Sequence, residues 1–192
     1  MRSPHGIQTT YRNILFRSRL EATWAAFFDQ LRWEWQYEPF DCDGWIPDFS
    51  LKSVMNAPAP VLVEVKPITD FCQDTADKID CANSAHEVLL LGIAPDFESH
   101  QPHNARLGWL RDAGPERRGD GVWDDAILGL WSYDQITNRR NPSKLIGFCH
   151  AGQSYEDRIT GLYDGSWGDG SLYVDDLKPL WAQAKNAVRW RP

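Results

Sequence analysis

Glu64 and Lys66 stand two residues apart in the run Val61-Leu62-Val63-Glu64-Val65-Lys66. In an extended strand that spacing puts both side chains on one face, while Val61, Val63 and Val65 take the other. An acid and a base are thereby set side by side. A second carboxylate, Asp48, lies in the preceding apolar segment Trp45-Ile46-Pro47-Asp48-Phe49. Magnesium takes carboxylate and carbonyl oxygens and keeps several waters. Asp48 and Glu64 from neighbouring strands, with the Val65 carbonyl between Glu64 and Lys66, make a donor set of that kind. Lys66 beside them can stabilise a developing hydroxide or, with its pKa lowered, accept a proton from water. The plainer alternative is that Asp48 is a turn acid and that Glu64 and Lys66 are the ion-paired, solvent-facing half of an ordinary strand. Against it stands the nearly unbroken apolar character of Val61–Val65, which reads as a central strand buried on both faces. Such a strand accepts an acid and a lysine only where they are paired or useful.

These residues carry a family resemblance. Pro47-Asp48, a spacer, and Glu64-Val65-Lys66 resemble the signature of the PD-(D/E)XK nuclease superfamily. The spelling Ile46-Pro47-Asp48-Phe49 followed by Val63-Glu64-Val65-Lys66-Pro67 is especially similar to its very-short-patch repair endonucleases and transposon-end nucleases. The resemblance covers residues 17–93. It implies an α/β fold with a restriction-endonuclease-like core: a central mixed β-sheet of four or more strands flanked by helices, in the order αβββαβ. The implied activity is metal-dependent hydrolysis of phosphodiester bonds in DNA, with Mg2+ or Mn2+ as cofactor, in a phage, mobile-element, repair or restriction setting.

The catalytic residues it implies are Glu21, Asp48, Glu64 and Lys66, with Glu21, Asp48, Glu64 and Val65 on the metal and Gln73 or Lys78 as a polar helper. A phosphodiester is shielded by its own charge, and one or two magnesium ions neutralise it and supply an oriented hydroxide. A catalytically inactive nuclease-fold module that binds nucleic acid or a protein partner is the alternative; intact Asp48, Glu64 and Lys66 favour cutting. A third reading is an interaction protein whose loop tryptophans, among ten in all, stack on bases. Cutting two strands with one such site usually needs a second copy, which leaves a homodimer or a partner protein as the open choices.

The surrounding elements follow from periodicity. Leu20, Trp24, Phe27, Phe28 and Leu31 recur at the helical spacing from Ser18 onward. Glu21 at the edge of that stripe has a structural reading of its own, since Ser18-Arg19-Leu20-Glu21 is a capping box. Trp33, Trp35 and Tyr37 alternate with polar residues as a half-buried strand does. Strands are expected at Trp45–Leu51 and Val61–Val65, a mediocre helix over Thr69–Asn83 and a buried strand at Val88–Ile93, joined as a parallel crossover. Residues 1–15 are uncommitted. Residues 95–121, rich in Pro, Gly, His and Arg, predict a long excursion loop. Strands are expected at Val122–Tyr133 and Leu145–Cys149, separated by a basic turn, Arg139-Arg140-Asn141-Pro142-Ser143-Lys144. A final helix is capped by Asp175 or Asp176, has Pro179 in its first turn, and presents Leu180, Trp181, Ala184, Ala187 and Val188. The economical organisation is one domain over residues 1–192, with a core at 17–93 and a decorated extension at 95–192.

The net charge of −7 opposes a nucleic-acid partner, because phosphate contacts need lysine and arginine. Its distribution softens the objection. Residues 1–35 hold five positive and three negative side chains, residues 36–100 three and twelve, and residues 101–192 twelve and twelve. The acid excess sits with the candidate metal ligands. DNA would then be gripped by Arg17, Arg19, Arg117, Arg118, Arg139 and Arg140, with Arg2 and Arg12 also on hand. The four cysteines lack paired spacing and read as free thiols in a reducing, cytoplasmic setting; Cys149-His150 reads as a strand-end cysteine and a surface histidine. No run is long enough to span a bilayer, and the N-terminus lacks an export core.

Overall fold

The computed structural model describes residues 6–53, 60–82, 86–100, 104–112, 122–128, 133–134, 139–140, 146–150, 157–159 and 174–189. The segment left uncommitted at the N-terminus forms a hairpin of β1 (Thr9–Tyr11) and β2 (Ile14–Phe16). Arg12 and Asn13 turn it with φ of 49° and 64°, the left-handed pair that a two-residue hairpin requires. Arg12 pairs with Asp29 at 2.9 Å. Helix α1 (Arg19–Leu31) has Ser18 as its N-cap and buries the expected stripe, including Trp24, Phe27, Phe28 and Leu31.

Three strands follow: β3 (Trp35–Tyr37), β4 (Phe49–Leu51) and β5 (Val61–Val65). Strand β4 is shorter than the expected Trp45–Leu51, because Cys42 and Trp45 close a tight turn on each other. Asp43 and Gly44 make that turn with φ of 50° and 91°. All of β5 is buried, as a central strand should be. Helix α2 (Gln73–Cys81) starts later than expected, since the Cys72 carbonyl accepts its first amides from Thr75 and Ala76. Strand β6 (Val88–Leu91) then lies parallel to β5, which bears out the crossover.

The expected loop over 95–121 is corrected by two strands, β7 (Asp96–His100) and β8 (Asn104–Arg111). Ala105, Leu107, Trp109 and Leu110 are buried, and this apolar content outweighs the turn-forming composition around it. Gly108 sits at a register shift where a Cβ would collide with the Leu90 carbonyl of β6. Arg106 is held by Asp96 at 3.0 Å and lies over the Trp109 ring, while Arg111 meets Asp80 at 2.6 Å.

Strand β9 (Trp123–Leu128) is followed by the two-residue strands β10 (Tyr133–Asp134) and β11 (Arg139–Arg140), then β12 (Phe148–His150). Of the strand expected over Val122–Tyr133, β9 covers Trp123–Leu128 and β10 begins at Tyr133, with 129–132 outside the described residues; Arg139 and Arg140 pair with β10, and 141–144 of the expected turn likewise lie outside. His150 is 1% exposed rather than on the surface. The four cysteines form no disulfide with one another. Helix α3 (Val174–Ala187) begins before Asp175, so Pro179 falls in its second turn rather than its first. Its buried line is Leu177, Trp181, Ala184 and Val188, with Ala187 exposed.

The main sheet has eight strands in the order β12-β9-β8-β6-β5-β4-β3, with β7 paired to β8. On one face Val61, Val63, Val65, Leu89 and Leu91 share a buried cluster with α1 and α3. Trp181 packs on Trp24 at 4.7 Å and on Phe27 at 5.2 Å. Leu62, on the other face, packs with Ile79 of α2 and Val88. The fold is therefore α/β with a mixed central sheet. A buried ion pair, Arg158 with Glu87 at 2.9 Å, ties the later half of the chain to the start of β6. No helix among the described residues is long and apolar enough to cross a membrane.

Candidate functional site

Three elements deliver their ends to one place. Strand β4 runs antiparallel to β5, so Asp48, just before β4, lies at the same end of the sheet as Lys66, just after β5. The β4–β5 register pairs Phe49 with Val63; continued by one residue, it sets Asp48 opposite Glu64, on the same face. Helix α1 brings Glu21 in its first turn. The result is a cleft of about 390 Å3 lined by Arg17, Glu21, Gly44, Trp45, Ile46, Asp48, Glu64, Val65 and Lys66.

Each carboxylate is held by specific donors. The Val65 N–H donates to Asp48 Oδ2 at 2.8 Å, and Arg17 Nη2 reaches Oδ1 at 2.6 Å. Trp45 Nε1 donates to Glu64 Oε2 at 3.0 Å, and the Lys66 ammonium pairs with Glu64 Oε1. Ser18 Oγ donates to Glu21 Oε1 and Tyr37 Oη to Oε2, both at 2.7 Å. Ser18 Oγ also accepts the Glu21 N–H at 3.1 Å. Glu21 therefore partners the helix cap and lines the cleft at once, so its two readings are compatible.

Burial sets the electrostatics. The Asp48 side chain is 3% exposed and Glu64 9%, whereas Lys66 is 39% and Arg17 57%. Burial first, and the charge of Glu64 next, push the Asp48 carboxyl up to about 7; Glu21 adds to the rise, while the Val65 N–H and Lys66 oppose it. The Tyr37 hydroxyl is pushed up to about 12 by burial and by its bond to Glu21. Tyr37 is thus a fixed hydroxyl donor, not an acid at neutral pH.

No family model, curated protein or solved structure matches the chain.

The site must be read from its own chemistry. Five of the singled-out residues, Glu21, Asp48, Glu64, Val65 and Lys66, share the cleft. Arg17 joins them, paired to Asp48 and, through Nε, to Glu38 at 2.9 Å. Arg19 is exposed and lines nothing here. Neither Gln73 nor Lys78 lines the cleft: both are exposed on α2, and Gln73 donates to Asp77 at 2.7 Å. Arg2, Arg117 and Arg118 lie outside the described residues, and Arg139 and Arg140 are described only as backbone in β11.

Tyr37 and Trp45, which orient Glu21 and Glu64, carried no local signal, because their partners lie 16 and 19 residues away. Among the described residues, no group of three or more His, Cys, Asp or Glu is arranged to hold a metal ion in this conformation. The donor chemistry nonetheless suits a hard cation. Buried carboxylates that raise each other's proton affinity are relieved by positive charge, and each carboxylate oxygen can accept more than one partner.

A wider groove of about 1250 Å3 runs along β3, lined among others by Trp35, Tyr37 and Phe40. Its Lys52 and Glu34 pair with each other at 2.9 Å, as do Arg12 and Asp29. It also holds three acids, Asp29, Glu34 and Glu38, with Lys52, but its Glu34 and Lys52 are 73% and 66% exposed, unlike the buried Asp48 and Glu64 of the smaller cleft.

Proposed function

We propose that the cleft is the active site of a metal-dependent endonuclease that hydrolyses phosphodiester bonds in DNA. One observation carries this reading: Glu21, Asp48, Glu64, Val65 and Lys66, drawn from separate parts of the chain, line a single cleft. The element order α1-β3-β4-β5-α2-β6 supports it, since it is the αβββαβ order of the restriction-endonuclease-like core that the motif resembles.

In this reading Asp48, Glu64 and the Val65 carbonyl hold Mg2+ or Mn2+, with Glu21 extending the set. The bound ion supplies neutralisation of phosphate oxygens and a more acidic water. Lys66, half exposed and beside Glu64, would stabilise a developing hydroxide or accept the proton of the attacking water. Trp45 fixes Glu64, and Tyr37 with Ser18 fixes Glu21, so the acids are oriented before a substrate arrives. Oriented groups of this kind lower a barrier without reorganisation at the moment of reaction.

A second reading, a nuclease-fold module that binds nucleic acid or a protein partner without cutting, is favoured by one observation. Every carboxylate oxygen of the three acids already has a protein donor. A cleavage assay separates the two. Plasmid, linear duplex, branched DNA, single strands and RNA are incubated with Mg2+ or Mn2+, with and without a chelator. The proposal expects chelator-sensitive cleavage of DNA that Asp48→Ala abolishes. Binding without metal-dependent cleavage of any substrate selects the second reading.

A further inference from the structure

We propose that Arg17 is the cleft's built-in counter-cation, which a divalent ion displaces from Asp48 and which then stands at the cleft mouth, still resting on Glu38, to meet an anionic substrate. This rests on the reading of the cleft as a metal centre. Among the described residues, three acids face the cleft and two cations, Arg17 and Lys66, line it. Lys66 is taken by Glu64, and Glu21 is held by two hydroxyls. Asp48 depends for charge on Arg17 at 2.6 Å, its other oxygen receiving only the neutral Val65 N–H at 2.8 Å. Without that pairing, ionising a carboxylate buried beside Glu64 would cost still more.

The pairing is built to be exchanged. Arg17 is the more exposed partner, 57% against 3% for Asp48. Its Nε rests on Glu38 at 2.9 Å, and Glu38 does not line the cleft. Its main-chain N–H is anchored separately, on Tyr37 Oη at 3.1 Å. Releasing Asp48 therefore needs a side-chain rotation about a fixed backbone, with Glu38 keeping the guanidinium at the mouth. An ion and a guanidinium on one carboxylate repel each other, so the two compete for Asp48.

The test is Mn2+ titration by calorimetry on the full chain, with every variant at the same pH. Wild type is compared with Arg17→Gln and Arg17→Lys, with Asp48→Asn as the blank. Removing the competitor should tighten Mn2+ binding by about tenfold in Arg17→Gln, the scale of one charge-assisted hydrogen bond that the ion no longer displaces. Arg17→Lys, which keeps the charge but cannot bridge Asp48 and Glu38 in the same way, should tighten it less. In the absence of Mn2+, Arg17→Gln should melt lower than wild type and gain more from the ion. Unchanged or weaker Mn2+ affinity in folded Arg17→Gln overturns the exchange while leaving the metal centre standing. If Arg17→Gln does not fold, unchanged or weaker affinity in Arg17→Lys overturns it instead. No Mn2+ uptake by any of these proteins overturns the metal centre itself.

Discussion

Asp48 is buried against Glu64 and still has to ionise if it is to hold a cation. With its carboxyl pushed up to about 7 by burial and by Glu64, its proton is retained in the folded chain well beyond the point where the unfolded chain loses it, near pH ~4. Between those values the native state binds more protons than the unfolded state, so stability falls as pH rises. Urea unfolding without divalent ions should show this decline across that window in wild type and a flatter profile in Asp48→Asn. Equal slopes would mean that Asp48 titrates as an ordinary surface acid. At this scale the sequence made Asp48, Glu64 and Lys66 visible, because a strand's two-residue period dictates which side chains travel together. The partners of Arg17, Tyr37 and Trp45 were not legible, since each acts on a residue 31, 16 or 19 positions away that only the packing of α1 against the sheet and the pairing of its strands bring near.

The first turn of α1 joins stability to the site. Ser18 caps the helix and orients Glu21 through the same hydroxyl. Ser18→Ala should cost about 1 kcal/mol in unfolding free energy, the usual worth of such a cap. If Glu21 contributes to the metal centre, the variant should also bind Mn2+ more weakly. A stability loss with unchanged affinity would confine Glu21 to the cap. Elements with strong periodicity were legible: α1, β5, the parallel β6 and most of α2. Strand β4 came out short because the turn at Asp43 and Gly44 ends in a bridge at Trp45. Strands β7 and β8 were obscured by the glycine, proline and charge around them. Arg106 and Arg111, read as loop cations, are tied to Asp96, Asp125 and Asp80.

Across the whole molecule, the two halves share one buried cluster running from Phe16 to Val188. Trp181 of α3 braces the helix that carries Glu21, and the Arg158–Glu87 pair braces the strand beside β5. The sequence showed the final helix but not that it packs on α1, because an apolar face does not name its partner. An acidic molecule with its acids gathered at one cleft is suited to an ion before it is suited to DNA. The central claim is therefore that Glu64 holds an ion and that Lys66 acts on water beside it. The most direct measurement is Mn2+ binding and plasmid nicking on Glu64→Ala and Lys66→Ala side by side. The account predicts that Glu64→Ala loses both, while Lys66→Ala keeps Mn2+ binding and nicks roughly a hundred- to ten-thousand-fold more slowly, the usual loss with a general acid–base group. Full nicking activity in Lys66→Ala would contradict it.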